Sequence, residues 1–102
     1  MDAIYDAKGA VVSSFTITNS MWKYSELAQY QFIQISTNKY KFKLNSLEKF
    51  RRENELVEEF KGYLGNDVEI KVEYIDEIPL LSNGKRKKVL NKMKGKKKVR
   101  LE

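Results

Sequence analysis

Tyr40-Lys41-Phe42-Lys43-Leu44 and Val68-Glu69-Ile70-Lys71-Val72-Glu73-Tyr74 alternate strictly between apolar and charged residues, and the residues between them repeat with a helical period. Alternation with a period of two marks a half-buried strand. It puts Tyr40, Phe42 and Leu44 on a core face and Lys39, Lys41 and Lys43 on a wet one. From Ser46 to Leu64 the residues Phe50, Val57, Phe60 and Leu64 share one stripe, widened by Leu56 and Tyr63. Asn45 with Glu48 fits a capping box, and Gly65 stands where a helix stops. Strand, helix and strand in this order predict a right-handed crossover between parallel strands. The fold class expected is α+β, a small mixed sheet covered by one or two helices.

Working outward, Gln31-Phe32-Ile33-Gln34-Ile35 reads as a strand joined to Tyr40–Leu44 through Thr37-Asn38-Lys39, with Asn38 taking the left-handed conformation of the turn. Near the N-terminus Ile4-Tyr5 and Val11-Val12 flank Asp6-Ala7-Lys8-Gly9, whose Asp and Gly suit the first and fourth positions of a type I turn. An N-terminal β-hairpin follows. Phe15 to Thr18 continues β-like, after which Asn19-Ser20 caps a short helical segment carrying Met21, Trp22, Tyr24 and Leu27. Val89, Leu90 and Met93 are spaced for a short final helix. Lys61-Gly62-Tyr63 hints at an RNA-recognition signature, but that motif requires a strand and this one falls in a helix's last turn. Residues 1–93 are thus expected to form one domain, and 94–102 a basic tail without fixed structure.

Composition narrows the chemistry. With 102 residues, 41% apolar and 12% aromatic, the chain suffices for one core but not for a two-domain enzyme with a buried cleft. It has no Cys and no His, which removes disulfides, thiolate and imidazole nucleophiles and the commonest general base. Any chemistry falls to Lys, Arg, Asp, Glu, Tyr, Ser or Thr. No apolar run approaches the ~18 residues of a membrane span, and no basic-then-apolar leader opens the sequence; a cytoplasmic location and no membrane partner are expected. Of the net charge of +6, residues 85–102 carry +9 and residues 1–84 carry −3. Such a tail reads either as a phosphate-binding element or as a solvated terminus.

The tail opens on a motif. Asp76-Glu77-Ile78-Pro79-Leu80-Leu81-Ser82-Asn83-Gly84-Lys85-Arg86 contains the chain's only proline and a Gly placed just before a Lys, an arrangement that lets a loop turn sharply and push an ammonium group out from its tip. It is not a nucleotide-binding P-loop, because Pro79 stands where that motif needs Gly and Arg86 where it needs Ser or Thr.

The Pro-spacer-Gly-Lys segment resembles the closing motif of the acyl-adenylate-forming enzymes, in the phenylacetate-coenzyme A ligase branch and its CapK-like relatives of capsular polysaccharide gene clusters. In addition, Asp2-Ala3-Ile4-Tyr5-Asp6-Ala7-Lys8-Gly9-Ala10-Val11-Val12-Ser13 is similar to the hairpin that follows that family's interdomain hinge. The resemblance implies the mobile C-terminal subdomain of an AMP-forming acid ligase, inactive alone. Lys85 would be the catalytic lysine, Asp2 the hinge residue, and Pro79 and Gly84 the positioners of the loop. It further implies ATP with Mg²⁺, bound mainly by the N-terminal AMP-binding domain of the parent chain, a small carboxylic acid substrate and coenzyme A as a candidate acceptor. Ser13-Ser14-Phe15-Thr16-Ile17-Thr18-Asn19, where family members often place a Glu, looks more like the capsule-associated relatives and leaves the acceptor open. A different class of function also stands: a free-standing nucleic-acid-binding module using Lys39, Lys41, Lys43 and the tail.

Overall fold

A computed structural model describes residues 3–76 and 88–93. In chain order its elements are β1 (Ile4–Tyr5), β2 (Val11–Val12), α1 (Ser14–Met21), β3 (Leu27–Ser36), β4 (Lys39–Ser46), α2 (Glu53–Leu64), β5 (Glu69–Tyr74) and β6 (Val89–Asn91). β1 and β2 form the expected antiparallel hairpin, Ile4 opposite Val12 and Tyr5 opposite Val11. Its turn is built by Asp6, whose Oδ1 accepts the N–H groups of Lys8 and Ala10 at 2.9 Å each, while Gly9 takes a φ of +89°. An α+β class with a mixed sheet is confirmed.

The larger sheet runs β5-β4-β3-β6. β3 and β4 are antiparallel, whereas β4 and β5 are parallel, with Tyr40 beside Ile70, Phe42 beside Val72 and Leu44 beside Tyr74. β4, α2 and β5 therefore make the crossover that the alternating segments predict. One sheet face carries Phe32, Tyr40, Phe42, Leu44 and Val89, and onto it pack Leu56, Phe60 and Leu64 of α2 with Ile17 and Met21 of α1, all buried. Phe60 is the centre of this contact, its ring 5.4 Å from Phe32, 5.0 Å from Phe42 and 5.3 Å from Tyr63. Burial of each such large apolar side chain contributes roughly 1.5–3 kcal/mol.

Four local expectations are corrected. α2 begins at Glu53 rather than Ser46, and no capping box forms. Asn45 and Ser46 instead continue β4, where Asn45 Nδ2 donates to Gln29 Oε1 of β3 at 2.8 Å and the Leu47 N–H reaches the Glu26 carbonyl at 2.8 Å. Ladder bonds to a long neighbouring strand outweigh a helix cap, and Phe50 reaches the core from the connection, edge-on to Tyr24 at 5.8 Å. α1 begins at Ser14, because Ser13 rather than Asn19 is the cap: its Oγ accepts the Phe15 N–H at 3.1 Å. Phe15 to Thr18 is consequently helical, which puts Ile17 and Met21 on one buried face, and Leu27 opens β3. Asn38 is not left-handed, since no described non-glycine residue has a positive φ; a register irregularity after Gln34 lets Ser36 pair with Lys39 instead. Finally, Val89 and Leu90 lie in a strand and not a helix, β6 pairing in parallel with Phe32, Ile33 and Gln34.

Candidate functional site

The motif residues Asp2, Pro79, Gly84 and Lys85 lie outside the described residues, as does the 94–102 tail. What the structure defines is their setting. β5 and β6 are the two opposite edges of the sheet, so the motif segment joins one edge to the other. Lys88, a short step along the chain from Lys85, is held where β6 begins: its carbonyl accepts the Phe32 N–H at 2.8 Å, and its ammonium lies 5.5 Å from the centroid of the Tyr30 ring.

Lys88 and Tyr30 form one side of an open hollow of about 270 Å³ whose other walls include Thr18, Trp22, Tyr24 and Gln29. Trp22, the only tryptophan, is 81% exposed, and Phe15, about two helical turns earlier on α1, is 71% exposed. A cation at the lip and aromatic side chains around it suit an anionic or planar group. Sequence reasoning did not assemble this hollow. In sequence Lys88 is one of a run of cations and Trp22 one residue of a short helical segment; only packing brings them near Tyr30.

The hollow is backed by a polar network that locks α1 to α2. Glu59 accepts the hydroxyl protons of Tyr24 and Tyr63 at 2.6 Å each and an N–H of Lys23 at 3.0 Å, and Ser20 Oγ donates to Tyr63 Oη at 2.8 Å. Burial alone would raise the Glu59 carboxyl, but these donors hold it below the usual range. Burial, and then the Glu59 carboxylate, push the Tyr24 phenol up. Arg52 closes the group: its guanidinium bonds Glu26 at 2.7 and 3.0 Å, donates to the Lys23 carbonyl and lies 4.9 Å from the Tyr24 ring centroid.

A second network ties the hairpin to the sheet. Gln34 is fully buried; its Oε1 accepts from Tyr5 N and Asn91 Nδ2, and its Nε2 donates to the carbonyls of Tyr5 and Ser36. Tyr40 Oη donates to the Tyr5 carbonyl at 2.6 Å, with its phenol pushed up to about 12 by burial and by Asp6. The β1–β2 hairpin is thus anchored to β3, β4 and, through Asn91, β6.

The lysine row of the nucleic-acid reading lies on the outer sheet face as expected, but glutamates of β5 interleave with it. The register sets Glu69 beside Lys39 and Glu73 beside Lys43, and Lys41 Nζ lies 3.3 Å from Glu73 Oε1. That face is a mixed-charge surface rather than a uniform phosphate track. Among the described residues, no group of three or more His, Cys, Asp or Glu could hold a metal, and no helix is long and apolar enough to cross a membrane.

Against known families, a model described as the CapK C-terminal domain matches residues 4–92, a span that includes Pro79, Gly84 and Lys85. No curated protein and no solved structure matches the chain.

Proposed function

The chain belongs to the CapK C-terminal domain family, and from this premise we propose that it is the C-terminal subdomain of an AMP-forming acid ligase that supplies Lys85 to carboxylate activation. The supporting observation is the family match across the whole domain, with the Pro79, Gly84 and Lys85 motif inside it. Acyl-adenylate formation brings a carboxylate against the α-phosphate of ATP, two anions that repel, through a transition state with charge spread over phosphoryl oxygens. A compact ammonium on a loop tip neutralises both partners without having to match a planar geometry. The domain's networks suit that task, because a rigid body is what lets a loop lysine be carried into and out of a distant site.

In this reading ATP and its Mg²⁺ are held by the N-terminal AMP-binding domain of the parent chain, as is the small carboxylic acid. Coenzyme A is one candidate acceptor, with the hairpin side of the domain facing the site in the second half-reaction.

The test is ATP-pyrophosphate exchange across a panel of carboxylic acids, using the parent chain extended upstream of Asp2 and its Lys85→Ala variant. Acid-dependent exchange should fall about 10²–10³-fold in the variant. Exchange that survives the substitution unchanged would make Lys85 an ordinary loop lysine.

A further inference from the structure

Among the described residues β5 is an edge strand, with one side of its backbone unpaired within the sheet. The Glu69 N–H bonds the Asn38 carbonyl and the Ile75 N–H bonds the Leu44 carbonyl, each at 2.9 Å, so the odd-numbered residues of β5 aim their peptide groups at β4. Peptide groups alternate in direction along a strand, so Ile70, Val72 and Tyr74 aim theirs outward. Edges of this kind are usually blunted by charge, and Glu69, Lys71 and Glu73 look at first like such a guard. Their order does something more specific.

Consider a second copy laid antiparallel against this edge. Hydrogen-bonded pairs must then join outward-aimed residues to one another, which restricts the register to Val72 opposite Val72 or to slips of two residues. With Val72 on the two-fold axis, Ile70 faces Tyr74 of the second copy and Lys71 faces Glu73, twice over by symmetry. Slipping one way places Lys71 opposite Lys71 and Glu69 opposite Glu73; slipping the other places Glu73 opposite Glu73. Of the registers that pair five of the six residues of β5, centred on Val72 or on Lys71, only the first is free of like-charge contacts; slips of four residues centre on Ile70 or Tyr74 and pair three residues of β5 or fewer. Like charges directly opposite oppose pairing and unlike charges favour it, so strand overlap and charge together select a single closed alignment.

The side chains are placed for it. Lys71 and Glu73 have side chains 71% and 50% exposed, and among the described residues they pair with Glu69 at 3.6 Å and Lys41 at 3.3 Å. Tyr74, 49% exposed, and the half-buried Ile70 and Val72 lie on the core-facing side of β5, where pairing would carry the apolar layer across the axis.

We propose that β5 is a homotypic interface: two copies of this chain join edge to edge through antiparallel β5 strands, with Val72 on the two-fold axis and reciprocal Lys71–Glu73 pairs fixing the register. The inference is independent of the ligase reading. A single strand pair buries less than a standard interface, so the association is weak and reversible.

The experiment is sedimentation equilibrium of the full chain at low salt, up to millimolar concentration, with three variants whose fold is checked by circular dichroism. Lys71→Glu and Glu73→Lys each convert both reciprocal pairs to like charges and should weaken dimerisation about tenfold or more. The double variant restores opposite charges and should recover it. Where a reversal disturbs the fold, Lys71→Gln and Glu73→Gln remove the attraction alone and should weaken the dimer by a smaller factor. A monomer at every concentration overturns the proposal, as do a dimer indifferent to the single reversals, which would lie elsewhere, and open-ended oligomers.

Discussion

Glu59→Gln tests whether the α1–α2 lock is electrostatic. The side chain is 17% exposed and gathers two phenol donors at 2.6 Å and the Lys23 ammonium at 3.0 Å. Hydrogen bonds to a charged group contribute about 1.5–3 kcal/mol each, roughly twice their neutral equivalents. An amide of the same shape loses the charge and turns an N–H₂ donor toward the groups on one of the two oxygens, costing about 0.8–1.5 kcal/mol per phenol. Lys23 is half exposed, so its pair adds no more than about 0.5 kcal/mol. The total is about 2–3 kcal/mol, a large part of the stability of a domain this size. Urea unfolding followed by far-ultraviolet circular dichroism measures it, Trp22 being too exposed to report on the core. The sign with pH is a second check. Glu59 titrates below the ordinary 4.5 in the folded state, so its stabilisation is full above that value and is lost as pH falls through the folded one. The gap between wild type and Glu59→Gln should therefore be constant near neutrality and shrink below pH 4.5. A loss under about 0.5 kcal/mol, or a gap that persists unchanged in acid, would refute the electrostatic account.

Two further substitutions probe what holds the hairpin. Gln34→Leu takes the side-chain partner from the part-buried Tyr5 N–H and Ser36 carbonyl, and should cost about 2–6 kcal/mol at about 1–3 kcal/mol per group. Hydrogen exchange at the Tyr5 amide should accelerate more than at the centre of β4, and equal acceleration would mean that the hairpin opens only with the whole fold. Gly65→Ala forces a side chain onto a φ of +136° and sets its Cβ 3.2 Å from that of Ala7. Thermal unfolding should reveal a loss of about 1–3 kcal/mol, without change in the far-ultraviolet spectrum.

Much of the fold was readable because some residues admit few local solutions. Asp6 and Gly9 specify their turn through an acceptor at the right distance and a backbone that needs positive φ. Tyr40, Phe42 and Leu44 can all reach a core only as a strand, and Gly65 ends α2 as its position suggests. The misreadings have a common cause. Asn45 carries both the chemistry of a helix cap and that of a strand residue, and pairing with Gln29 decided between them. Val89 and Leu90 fit either period in so short a segment, and the free edge of β3 made them a strand.

For the candidate site the division is sharper. The Pro79, Gly84 and Lys85 motif is a property of contiguous residues and is legible without coordinates, as is the family it points to. The hollow of Trp22, Tyr30 and Lys88, the Glu59 lock and the Val72-centred edge are properties of juxtaposition. By itself the sequence determined the alternating strands, the Asp6–Gly9 turn and the lysine motif, because each rests on residues close together along the chain, and the order of strand, helix and strand then determined the crossover. Tertiary structure alone decided where α1 and α2 begin, that the last segment is a strand, and which strand is left at the edge. Those outcomes depend on hydrogen bonds and buried area supplied by residues far away in sequence, which no local pattern encodes.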